Sequence, residues 1–238
     1  MFDIRNDKLK GLDGIVSFSG GNISPSRIYK TITKTKSTDK VSVDFYISCL
    51  EKINYCIQDL NEELKIINSD SYSRKDITYI ILCVTWIKES FWNIRKDLVK
   101  EISKEIKKDK LQDYREFIEA FRSFSVAHPM DTDKHTKYGM DGTVINVDLG
   151  KIKGNVVADV FFDFQDSYQL CFDGLKKVSS IKTCDFYFKV YRKNGDKAKF
   201  ASHIGCNFSD LYEVAQAYID KLYEIDLLIR RLARKHII

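Results

Sequence analysis

The stretch ITYIILCVTWIKESFWNIRKDLVKEISKEI, residues 77–106, places apolar side chains at Ile77, Ile80, Val84, Ile87, Phe91, Ile94, Leu98, Ile102 and Ile106. Steps of three and four are the repeat of one helix face. The stretch therefore predicts a helix of about thirty residues with a single buried stripe. Its second half looks basic, but Asp97, Glu101 and Glu105 interleave with Lys100, Lys104 and Lys108. That pattern reads as a solvated face knitted by local charge pairs rather than as a nucleic-acid surface.

The same repeat continues on either side. Upstream, Val43, Ile47, Leu50, Ile53, Ile57, Leu60, Leu64 and Ile67 mark a first helix; Asn68, Ser69 and Asp70 end it, and Ser71 or Ser73 can cap the next. Downstream, Leu111, Tyr114, Phe117, Ile118, Phe121 and Phe124 mark a third. It must stop near His128, because Pro129 disfavours helical geometry in the residue before it.

Beyond that point the period changes to two. TVINVDL (143–149), VVADVFFDF (156–164) and YQLCF (168–172) read as strands, and 184–204 reads as a hairpin turning at Asn194-Gly195. Asn207 or Ser209 then caps a last helix with the stripe Leu211, Val214, Tyr218, Leu222, Ile225, Ile229 and Leu232. The first forty residues show no such period. Ser19, Gly20, Gly21 and Asn22 break any pattern, and the glycine pair lacks the GK[ST] ending of a phosphate-binding loop.

The expected fold class is α+β, predominantly α. An irregular arm (1–41) precedes a helical bundle built from 42–130 and 207–238, with a β-rich insertion at 131–206 before the last helix.

Composition agrees with a folded protein. Apolar residues make up 44% of the 238-residue chain and aromatics 13%, which supports a core and excludes a disordered class. Only two prolines interrupt it, as long helices require. The first thirty residues have no apolar segment flanked by positive charge, and no apolar run reaches membrane-spanning length. A cytoplasmic, soluble protein is expected. The six cysteines contain no CxxC pair and are read as free thiols. A net charge of +5 is compatible with a polyanionic partner without demanding one.

The chemistry concentrates in FRSFSVAHPMDTDKH, residues 121–135. Arg122 and His128 have five residues between them, and Pro129 follows at once. Residues six apart on an ideal helix differ by about 120° around the axis, so a helix ending here is what frees His128 to turn toward Arg122. The negative end of the helix dipole favours the imidazolium form, suited to a general acid. The competing reading makes Arg122 an ion-pair partner and His128 a helix C-cap. A second Arg/His spacing, Arg230 and Arg231 with His236, lies near the C-terminus, where fraying is expected.

An arginine followed after one to two helical turns by a histidine resembles the motif of HEPN-domain ribonucleases, and the helical surroundings, roughly 42–130 and 207–238, resemble that family's small all-α bundle. The resemblance implies a metal-independent endoribonuclease of the toxin or phage-defence kind. Arg122 and His128 would be catalytic, with Ser123 in the place of a small polar residue. It also implies RNA as partner, no cofactor, a homodimer through the motif-bearing helices, and a regulatory protein. The family's frequent tyrosine two residues past the histidine is absent; Met130 stands there.

Two metal readings compete. His128, Asp131, Asp133 and His135 place four ligand types within one loop; otherwise Asp131, Asp133 and His135 support the Arg/His site or simply face solvent. Cys171, Cys184, His203 and Cys206 form a looser set, too widely spaced for the tight pairs of structural zinc. In the hairpin, Tyr187, Lys189 and Tyr191 share a face opposite Phe186 and Phe188. That face either stacks bases or is the half-exposed side of a sheet. Outside enzymes altogether, the chain reads as a non-catalytic helical module binding a protein or RNA.

Overall fold

The computed structural model describes residues 1–13, 15–19, 22–24, 40–96, 111–127, 134–138, 140, 142–152, 166–194 and 198–234. Four α-helices lie among them: α1 (Lys40–Asn68), α2 (Arg74–Lys96), α3 (Leu111–Arg122) and α4 (Phe208–Arg234). A short ribbon pairs β1 (Ser17–Ser19) with β2 (Asn22–Ser24). Five more strands form one sheet: β3 (Thr143–Lys151), β4 (Asp166–Cys171), β5 (Gly174–Val178), β6 (Phe186–Asn194) and β7 (Ala198–Cys206). The fold class is α+β, as the periodicity predicts.

Helices α1 and α2 pack as a hairpin whose turn is closed by backbone bonds. Ser71 N–H reaches the Ile66 carbonyl and Asp70 N–H that of Ile67, with Asp70 at φ 56°. This is a Schellman ending with aspartate where glycine is commonest. Lys151 on β3 holds it, donating to the Asp70 carbonyl and pairing with its carboxylate at 3.0 Å. Ser73 then starts α2: the Asp76 carboxylate accepts from the Ser73 backbone N–H at 2.6 Å and from its hydroxyl at 2.8 Å. Of the two serines that could cap α2, Ser73 does so.

The α2 stripe is consumed inside the chain. Ile77, Ile80, Val84, Ile87, Phe91 and Ile94 are each 0% exposed, against α1, α3 and α4. Fully burying such a side chain contributes about 1.5–3 kcal/mol. The described part of the stripe is thus buried within the chain. Residues 97–110, including the rest of the stripe, lie outside the described residues.

The sheet order is β3-β6-β7-β4-β5, antiparallel except for the parallel β4–β7 pair. Its inner face carries Phe186, Phe188, Val190, Ile204 and Cys206, all fully buried. Phe121 of α3 lies 6.1 and 6.0 Å from the rings of Phe186 and Phe188, and Phe208 of α4 lies 5.0 Å from Phe186. Helices and sheet thus share one core. Strand β5 is absent from the sequence expectation. GLKKV carries little apolar signal, and its only clue is the Asp173-Gly174 pair, where Gly174 takes a positive φ of 115°. The segment 156–164 lies outside the described residues, as does the tip of the β6–β7 hairpin.

The N-terminal segment packs closely despite its irregular backbone. Phe2, Leu9, Leu12, Ile15 and Val16 are buried in the shared core. Asn61 of α1 both accepts from Leu9 N–H (2.8 Å) and donates to its carbonyl (3.1 Å). From α4, Tyr223 donates to the Gly11 carbonyl at 2.6 Å. Low periodicity here reflects a segment whose backbone is satisfied by short local turns and by side chains of α1 and α4 rather than by a regular ladder.

Candidate functional site

Helix α3 ends at Arg122 and opens at once into a wide π-type turn, Ser123–Ala127. The Ser125 hydroxyl donates to the Phe121 carbonyl at 2.8 Å, one turn back, a bond that competes with the regular ladder and bends helices. Phe121 and Phe124 anchor this end on the core, Phe124 packing 6.1 Å from Phe188 and 5.8 Å from Tyr138. Ser123 is buried and Arg122 exposed. Among the described residues no carboxylate pairs with Arg122, so the ion-pair reading of this arginine finds no partner there.

His128, Pro129, Met130, Asp131 and Asp133 lie outside the described residues, as does His236. His135 falls in a single 3-10 turn, Lys134–Tyr138, of which the backbone is described. Of the sequence-predicted site, the structure thus places the side chains of Arg122 and Ser123.

The cysteine set is not brought together. His203 and Cys206 lie three apart on β7 and so point to opposite faces. Cys206 belongs to the main core, whereas Cys184 joins Ile152 and Ile181 in a small cluster under the other face. Cys171 is half-buried on β4. Among the described residues no three His, Cys, Asp or Glu side chains form a metal-binding group. All six cysteines are free thiols, as expected.

His203 is 1% exposed, its ring 5.5 Å from Tyr187 in an edge-on contact. Burial, helped by the Lys189 charge beside it, pulls its pKa down to about 4. At neutral pH it is an uncharged core imidazole. On the same side of the sheet Tyr187, Lys189 and Tyr191 are half-buried, with the Lys189 ammonium 5.0 Å from the Tyr191 ring.

Two groups escaped sequence reading. Arg192 sits on the inner face of β6, 3% exposed, donating through Nη2 to the buried Ser202 hydroxyl at 2.6 Å. Its only signal is an arginine where period two demands an apolar residue. The second is the α2–α3 seam. Lys88 is buried and pairs with Glu89 at 2.9 Å and Glu119 at 3.7 Å, while Arg95 and Arg115 stand 4.4 and 5.3 Å from the Trp92 ring. Such a seam joins residues far apart in sequence and leaves no local pattern.

Comparison with protein-family models, curated proteins and solved structures finds no match in any of the three. Among the described residues no helix is long and apolar enough to cross a membrane.

Proposed function

We propose that the chain is a metal-independent endoribonuclease of HEPN-like type, acting as a toxin or phage-defence effector whose activity a regulatory protein restrains. The observation that carries this reading is the exposed Arg122, without a carboxylate partner among the described residues, at the point where α3 widens into a π-type turn leading directly to His128. Such turns are rare inside α-helices and concentrate at functional sites.

The chemistry needs few parts. The 2′-hydroxyl of RNA, losing its proton to solvent water, attacks the adjacent phosphorus and forms a 2′,3′-cyclic phosphate as the bond to the 5′-oxygen breaks. His128 delivers the proton to that leaving oxygen, a contribution worth about 10²–10⁴ in rate. Arg122 stabilises charge growing on the non-bridging oxygens, for which a planar, permanently charged fork suits better than an ammonium. A homodimer would bring two such sites together.

A non-catalytic module binding protein or RNA is the second reading. It is favoured by Met130, which stands where the resembled motif has a tyrosine. Incubating the purified chain with a tRNA pool in EDTA separates the two. Cleavage that persists in EDTA and disappears in His128→Ala is the expected result. Absence of cleavage under every condition overturns the ribonuclease reading.

A further inference from the structure

We infer that the chain pairs with a second copy of itself by seating the outer face of the end of α4 in a cleft beside α3; this surface does not depend on the ribonuclease reading. At the end of α4, Leu227, Arg230, Arg231 and Arg234 recur at helical spacing and line a shallow depression. Leu227 is 61% exposed, one of the few large apolar side chains so open among the described residues. Asp226 fixes one guanidinium of the group, pairing with Arg230 at 2.8 Å. The feature is an apolar knob ringed by arginines.

Its complement lies on the same molecule. A cleft of about 800 Å³ runs between α3, the Lys134–Tyr138 turn and the β4–β5 hairpin. Phe117, Phe172 and Leu175 line it as apolar surface, and Phe172 is held in place by Tyr114 and Phe117 at 4.9 and 4.8 Å. Asp113, Glu116, Glu119 and Asp173 stand around it against a single cation, Lys137. Glu119 is tied to Arg115 and Asp173 to Lys176. Asp113 and Glu116 have no cationic partner among the described residues. On a chain of net charge +5 this is a local reversal of sign, and its apolar lining is of a size to take a leucine.

Charge complementarity of this kind sets register and selects partners, while a seated apolar side chain supplies much of the affinity. Reciprocal exchange about a two-fold axis uses both patches of both copies and closes at two. The apolar stripe of α2 cannot serve instead, since its described part is buried within the chain.

The test is a charge swap read by light scattering on the full chain. Wild type is expected at twice the chain mass at micromolar concentration. Leu227→Glu, Arg234→Glu and Glu116→Arg should each weaken the dimer by roughly tenfold or more, with unchanged thermal melts because the side chains are exposed. Arg234→Glu combined with Glu116→Arg in one chain should restore it. A wild-type monomer overturns the inference, and so does a dimer indifferent to all three substitutions. A double variant no better than the singles overturns the pairing of these two patches.

Discussion

Arg192 Nη2 lies 2.6 Å from Ser202 Oγ, and both side chains are buried against the inner face of the sheet. A guanidinium there loses its hydration and depends on each hydrogen bond it makes. Ser202→Ala is expected to cost about 1–3 kcal/mol and Arg192→Ala about 3–5 kcal/mol in urea unfolding. A Ser202→Ala variant within experimental error of wild type would show that this bond carries no stability.

The catalytic reading makes a different demand on Arg122 and His128. His128→Ala should abolish RNA cleavage while leaving the melting temperature nearly unchanged. Arg122→Lys should fail almost as completely as Arg122→Ala, because a point charge does not reproduce the guanidinium fork on phosphate. A structural pair would show the reverse, with lysine tolerated and alanine at 128 costing up to about 1 kcal/mol of capping energy. Undiminished cleavage by folded His128→Ala would end the catalytic assignment.

Acid stability should reveal a buried and a half-buried group working against each other. His203, with a pKa near 4 in the folded chain against an ordinary 6.5, stays neutral where the unfolded chain takes up a proton. Its contribution is lost as pH falls from about 6.5 to about 4. Asp210 behaves oppositely: burial, with Glu213 and Asp185 nearby, raises its pKa to about 6 from 3.8, so the folded form binds the extra proton. Its contribution is full below about 3.8 and is lost as pH rises through about 6. In Asp210→Asn the remaining histidine slope should make stability fall more steeply on acidification than in wild type. In His203→Phe that slope should flatten or reverse. Urea midpoints at pH 4.5, 5.5 and 6.5 measure both, and parallel curves for all three proteins would exclude either linkage.

At Gly205 the sheet leaves no room for a side chain. A Cβ there would stand 2.6 Å from Cys184 Sγ and 2.8 Å from Ile181. Gly205→Ala should therefore cost about 1–3 kcal/mol, and Cys184→Ala in the same chain should recover part of it. Equal losses in the single and double variants would place the strain elsewhere.

What was legible in the sequence follows from how each feature is encoded. Ile77 through Ile94 repeat every three or four residues, and Phe186, Phe188 and Val190 every two, so local spacing alone identified α2 and β6 and their buried faces. β5 was missed because an edge strand with two adjacent lysines, Lys176 and Lys177, need not look apolar. The order β3-β6-β7-β4-β5, and the parallel β4–β7 pair in particular, depends on meetings between distant segments. For the candidate site, a helix stopping near Pro129 could be read in advance. The widening at Ser123–Ala127, where Ser125 bonds back to the Phe121 carbonyl, interrupts no apolar period and so left no signal to read.

The bonds holding the first residues in place span nearly the whole chain. Lys10 N–H donates to Gln216, 206 positions later, and Tyr223 donates to Gly11 across 212 positions. During synthesis the segment that emerges first therefore waits for partners that emerge last. Loop closure over such distances slows folding. Chains truncated before α4 therefore lack the partners of the first residues and should fail to reach the native packing.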